Sequence, residues 1–73
     1  MKSDLLEACG RALYGEQWQV PLSRDLDVND RTVRRWIAGD SPIPMGLNID
    51  LLRLLVERAA EIDDLAEKCK RAV

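Results

Sequence analysis

The chain has 73 residues with 11 basic and 13 acidic side chains, a formal charge of -2, so a field of net positive charge that would draw it to any polyanion is excluded. One domain over residues 1–73 is all this length allows, and it is small enough to need help in burying a core; no histidine is present and the two cysteines, Cys9 and Cys69, lie far apart, which sets aside a zinc site and a CxxC redox pair. The 47% hydrophobic and 33% charged composition is that of a folded chain, and no stretch approaches the roughly 20 apolar residues of a membrane span.

The opening "MKSDLLEACG" has neither a long apolar run nor a small-residue cleavage site, so a reduced cytoplasmic protein without a membrane partner is expected. Every periodic segment has the helical period and none alternates as a strand does, which makes the fold class all-α. The first helix is predicted from Ser3, as N-cap, to Tyr14, with Asp4 and Glu7 at its positive start and Gly15 ending it. Leu5, Leu6, Cys9, Ala12 and Leu13 form its inward stripe, Cys9 acting as a small buried hydrophobe.

A second helix is predicted over about Gln17 to Leu26, with Trp18, Leu22 and Leu26 facing inward. Pro21 fixes its start, because a mid-helix proline costs about 3 kcal/mol whereas in the first turn its missing N–H has no partner to lose. Asp27 and Val28 make a tight turn, and Asn29 caps a third helix that runs to Ala38 and closes at Gly39. Val33, Trp36 and Ile37 share one face of it, leaving Arg31, Arg34, Arg35 and Ala38 to point elsewhere.

After the proline-punctuated loop "DSPIP", a long helix is predicted from Pro44 or a few residues later to about residue 71. It is about 40 Å long, longer than the body beneath it. Leu47, Leu51, Leu54 and Arg58 share one side; Leu52, Leu55, Ala59, Ile62, Ala66, Cys69 and Val73 repeat at three and four residues, the spacing of a coiled-coil seam. The expected architecture is a compact bundle of about four helices with a long last one.

Two short helices joined by a tight turn, the second with polar residues outward, are the elements of a helix-turn-helix. The run "LSRDLDVNDRTVRRWIAGD" resembles the Cro/repressor-like, Xre-type regulators of phages and mobile elements over about residues 17 to 39: a small residue in the first helix (Ser23), an apolar turn residue (Val28), a polar cap (Asn29), a buried β-branched residue (Val33) and the closing "W..G". It departs at Asp27, where the family usually has glycine; aspartate enters the left-handed region more readily than most residues. The resemblance implies that Asp30, Arg31 and Arg35 meet base edges in a major groove of double-stranded DNA, with Arg34 on the flank of the same face.

Arginine can grip guanine N7 and O6 with two hydrogen bonds, and aspartate can accept from cytosine N4. Gln19, Ser23, Asn29, Thr32 and Ser41 are suited to phosphates, contacts that position without specifying. The charge is weakly segregated in favour of this reading: residues 17–39 sum to +1 and the remainder to -3. So small an excess gives poor nonspecific affinity, and a binder built this way depends on base contacts and on two subunits.

Homodimerisation is expected through Leu52, Leu55, Ala59, Ile62, Ala66 and Cys69, in parallel or antiparallel fashion, since a dimer places two reading helices one DNA turn apart on a palindrome. The resemblance implies a small transcriptional repressor, controlling its own operon in a phage or mobile element. No cofactor, metal or small-molecule ligand is expected, because 73 residues leave no room for a sensing domain. The rival reading is an acidic helical adaptor whose arginines grip an acidic protein. An enzyme is not expected: there is no histidine, no serine with an evident base, and Asp63 and Asp64 point sideways from an exposed helix.

Overall fold

Periodicity alone demands that the apolar stripes of short helices find one another, and in the computed structural model, which describes residues 1–73, they do so in four helices. These are α1 (Ser3–Tyr14), α2 (Gln19–Leu26), α3 (Asp30–Ala38) and α4 (Leu47–Ala72). No helix is long and apolar enough to cross a membrane.

α1 has the predicted bounds but not the predicted cap. Lys2 is the N-cap, no side chain caps the helix, and Ser3 lies inside the first turn. The inward stripe is also rotated: Leu6, Cys9, Gly10 and Leu13 are buried, whereas Leu5 is 54% exposed and Ala12 faces outward. The cause is Trp18, which lies directly on the α1 backbone at Gly10. A Cβ at position 10 would stand 2.1 Å from Trp18 Cε3, so only glycine permits this approach.

α2 starts two residues later than predicted, because Trp18 serves as its N-cap residue. The Trp18 carbonyl accepts the Leu22 N–H at 3.0 Å. Pro21 is the third helical residue, where no intrahelical donor is required. Trp18 and Leu22 are fully buried and Leu26 is half-buried.

Asp27 ends α2 in the left-handed conformation, φ 56° and ψ 45°. The Val28 N–H returns to the Ser23 carbonyl at 2.9 Å and the Asp27 N–H to Arg24 at 3.2 Å, so the helix end is satisfied by its own turn. Asn29 then caps α3, its Oδ1 accepting the Arg31 N–H at 2.8 Å. Val33 and Trp36 enter the core and Ile37 packs at its edge. Gly39 closes the helix at φ 82°, with the Asp40 N–H bonded to the Arg35 carbonyl at 3.0 Å.

α4 is two objects in one element. Leu47, Leu51 and Leu54 are buried against α1 and the helix pair above it. Arg58 makes the last contact: Nη1 donates to the Leu13 carbonyl, which has no helical partner at the end of α1, and the guanidinium lies 5.7 Å from the Tyr14 ring centroid. Every residue from Ala59 onward is exposed. The extents of 49 × 22 × 21 Å and the radius of gyration of 14.2 Å follow from this projecting half; a compact chain of this length has a radius near ~11 Å.

Candidate nucleic-acid interface

α3 leans on the core through Val33 and Trp36, which turns Arg31, Arg34 and Arg35 to solvent. All three arginines are therefore free of the core and lie on one exposed face of nine residues of helix. Their surroundings differ. Arg34 is engaged with Asp30 across one turn, Nη1 to Oδ2 at 2.9 Å, whereas Arg31 and Arg35 have no acidic partner within ion-pair distance in the chain. The four residues expected to read bases thus divide into one internally compensated pair and two open guanidinium groups.

The residues expected to meet phosphate divide further. Gln19 stands in the first turn of α2 beside a shallow groove whose other wall is Arg34. Gln17 and Glu16 share that groove; neither was expected there, since nothing in the periodicity marks the residues that precede a helix. Thr32 is half-buried in the first turn of α3, and Asn29, whose Oδ1 is occupied as a cap, keeps its amide N–H groups as donors.

Ser23 is not available. It is 4% exposed, and its Oγ donates to the Val20 carbonyl at 2.6 Å within α2. The small residue that lets two helices approach is consumed by that approach, so the expectation of a phosphate contact at Ser23 is corrected. Ser41 lies beyond the other end of α3, its N–H directed to the Arg35 carbonyl at 3.3 Å, and is separated from Asn29 by the length of the helix.

Behind this face, Tyr14 ties α1 to α2 by donating its hydroxyl to Asp25 Oδ2. Burial, the hydrogen bond to Asp25 and the Asp25 charge push the Tyr14 pKa from 10.0 up to about 12, with Arg58 opposing the rise. The ring is thus held between the helix carrying the turn and the root of the projecting arm. Spacing along the chain marked Tyr14 only as the end of the first helix.

The expected seam is distributed unevenly along α4. Leu55 packs partly on the core of its own chain, while Leu52 is 61% and Ile62 56% exposed, and Ala59, Ala66 and Cys69 are also open. Leu65 is equally exposed beside the seam. Asp63 and Asp64 lie on the solvent side of the arm, Asp64 paired with Lys68 at 3.1 Å.

No protein-family model matches the chain, and neither a curated protein nor a solved structure does.

Proposed function

We propose that the protein is a sequence-specific, double-stranded DNA-binding transcriptional regulator, a homodimeric repressor of its own operon that reads a palindromic operator with α3 in the major groove. The observation that carries this reading is the outward face of α3, with Arg31 and Arg35 one turn apart and unpaired at the open side of a two-helix unit. Each could hold a guanine by a two-pronged contact, so a G·C-containing half-site is favoured. Gln19 stands in the first turn of α2 and the Asn29 amide at the start of α3, where donors suit the phosphates that flank such a helix.

Likeness to Cro/repressor-like regulators of phages and mobile elements rests on the residues that now form the turn: Ser23 beneath it, Asp27 left-handed in it, Val28 and Asn29 leaving it. The adaptor reading is supported by the Asp30–Arg34 pair and the net charge of -2, which weaken attraction to phosphate. Selection of bound sequences from a random duplex pool at physiological salt separates the two. An inverted repeat supports the regulator; a pool without a motif transfers the reading to an acidic protein partner. For the dimer, Ile62→Asp should shift the solution mass toward monomer, and an unchanged mass would exclude this seam.

A further inference from the structure

The open apolar surface does not stop at the seam. Between α1 and α4 runs a groove of almost wholly apolar lining, formed by Met1, Leu5, Cys9, Leu51, Leu52 and Leu55. It lies on the body of the protein, beside the first half of α4, whereas the unpartnered alanines lie on the second half. Resting on the reading that the chain is a dimer, we infer that the pair is antiparallel: the projecting arm of a second copy, from Ala59 to Ala72, lies along this groove, and the two arms are exchanged between bodies.

The surface area calls for an occupant of that size. The chain exposes 5450 Å², where a compact monomer of its mass exposes roughly 4,600 Å². The excess is close to the ~800 Å² that each partner buries in a standard stable interface.

The sizes of the seam residues decide the direction. With a two-fold axis crossing α4 between residues 60 and 61, Leu52 meets Cys69 of the second copy, Leu55 meets Ala66, and Ala59 meets Ile62. Every layer then joins one large side chain to one small one, the condition for even packing along a helix pair. A parallel pair instead stacks Leu52 on Leu52, Leu55 on Leu55, Ala59 on Ala59 and Ala66 on Ala66, alternating crowded layers with hollow ones. It also leaves the groove against α1 in water.

Charge points the same way. Lys68, Lys70 and Arg71 crowd the tip of the arm; a parallel pair sets them against their own copies. The antiparallel pair brings Lys70 and Arg71 to the level of Asp50, in the first turn of α4, and Asp4, in the first turn of α1, while Lys68 comes to the level of Arg53, whose charge is met by Glu57. Leu65, outside the seam proper, then faces the α1 side of the other body at the level of Ala12, which explains two exposed apolar residues at once.

The lengths agree as well. In this register residues 63–72 of each arm lie opposite residues 58–49 of the other copy, so the arm ends within the groove-bearing segment Leu47–Arg58 without overhang. Taking each body to centre on Leu51, the arrangement sets the two bodies roughly 30 Å apart along α4.

Thiol chemistry tests the direction. In a Cys9→Ala background, Cys69 is the one remaining thiol; mild oxidation, or a short bifunctional thiol reagent, should leave this variant uncrosslinked. Adding Leu52→Cys, a change at an exposed position, should yield a covalent dimer through 52–69 bridges. Spin labels on Cys69 should lie about 26 Å apart along the helix axis. Efficient crosslinking through Cys69 alone, or labels within about 15 Å, would overturn the antiparallel pair in favour of a parallel one. A dimeric solution mass with no 52–69 bridge would overturn it too, leaving the dimer standing. A monomeric mass for the unsubstituted chain at tens of micromolar would remove the dimer and this arrangement together.

Discussion

Asp30 and Arg34 stand one turn apart on α3 with Oδ2 and Nη1 2.9 Å from each other, so the arginine face of α3 carries its own counter-charge. Both side chains are more than a third exposed, and such a pair adds little to folding stability. Its effect falls on what the face presents. Asp30→Asn should release Arg34, strengthen binding to unrelated duplex, and steepen the slope of log K against log salt by about 1, the signature of one added phosphate contact. Fluorescence anisotropy over a salt series measures this, and an unchanged slope would show that releasing Arg34 adds no phosphate contact.

Arg35 has no such partner, and its removal should read out differently. Arg35→Ala should weaken binding to the selected site by about 1 to 3 kcal/mol and relax preference at one base position, leaving affinity for unrelated DNA nearly constant. A uniform loss across all sequences would make Arg35 a phosphate contact.

Gly10 and Trp18 offer a test of the body. Gly10→Ala removes the helix penalty of glycine, a gain of roughly 0.5 to 1 kcal/mol in open helix, but forces a methyl group into the buried indole. Overcrowding of a packed core typically costs 1 to 3 kcal/mol. The midpoint of urea denaturation should therefore fall with little change in slope. Gly46→Ala, where an added Cβ meets nothing within 4 Å, serves as the control and should leave the midpoint nearly unchanged.

Tyr14 is the one tyrosine of the chain, so its ionisation can be followed directly by ultraviolet absorbance. The midpoint should lie near 12 instead of 10, and Asp25→Asn should lower it by removing the acidic neighbour. Since the folded protein holds this proton more tightly than the unfolded chain, the associated stability is complete below pH 10. It declines as pH rises from 10 toward about 12. Tyr14→Phe should flatten that decline; equal slopes for the two proteins would take Tyr14 out of the alkaline transition.

The turn and the two ends of α3 were the most legible features of the sequence, whereas the cap of α1 and the start of α2 were not, and the start of α4 was so only to within a few residues. Asn29, Gly39 and Pro21 each act within a few residues of chain, and each stands where its local chemistry requires. The left-handed turn at Asp27 was legible for the same reason. What escaped were effects that need a neighbour from elsewhere. Leu5 and Ala12 fall on the helical stripe of α1, but the pressure of Trp18 on Gly10 turns that stripe away from them. Ser23 looked like a polar group near a helix start; only its burial between two elements shows the hydroxyl already taken by Val20. Likewise Asp30 and Arg34 could each be placed on α3 from spacing, yet their pairing to one another decides what the face presents. Arg58 could be assigned to a side of α4, but not to the Leu13 carbonyl 45 positions away.

That carbonyl divides α4 by thermodynamic order. Up to Arg58, the helix is held by its own chain, so its formation is unimolecular and indifferent to concentration. Beyond it, about 14 residues have no tertiary contact; as a continuation of a helix already nucleated on the body they need only propagate, at a length where a helix on its own is marginal in water. Their order then belongs to whatever binds them, and in a self-associating chain it rises with abundance. If the chain pairs as proposed, the arm is more open to proteases when dilute than when concentrated, which would couple the lifetime of the protein to its own amount.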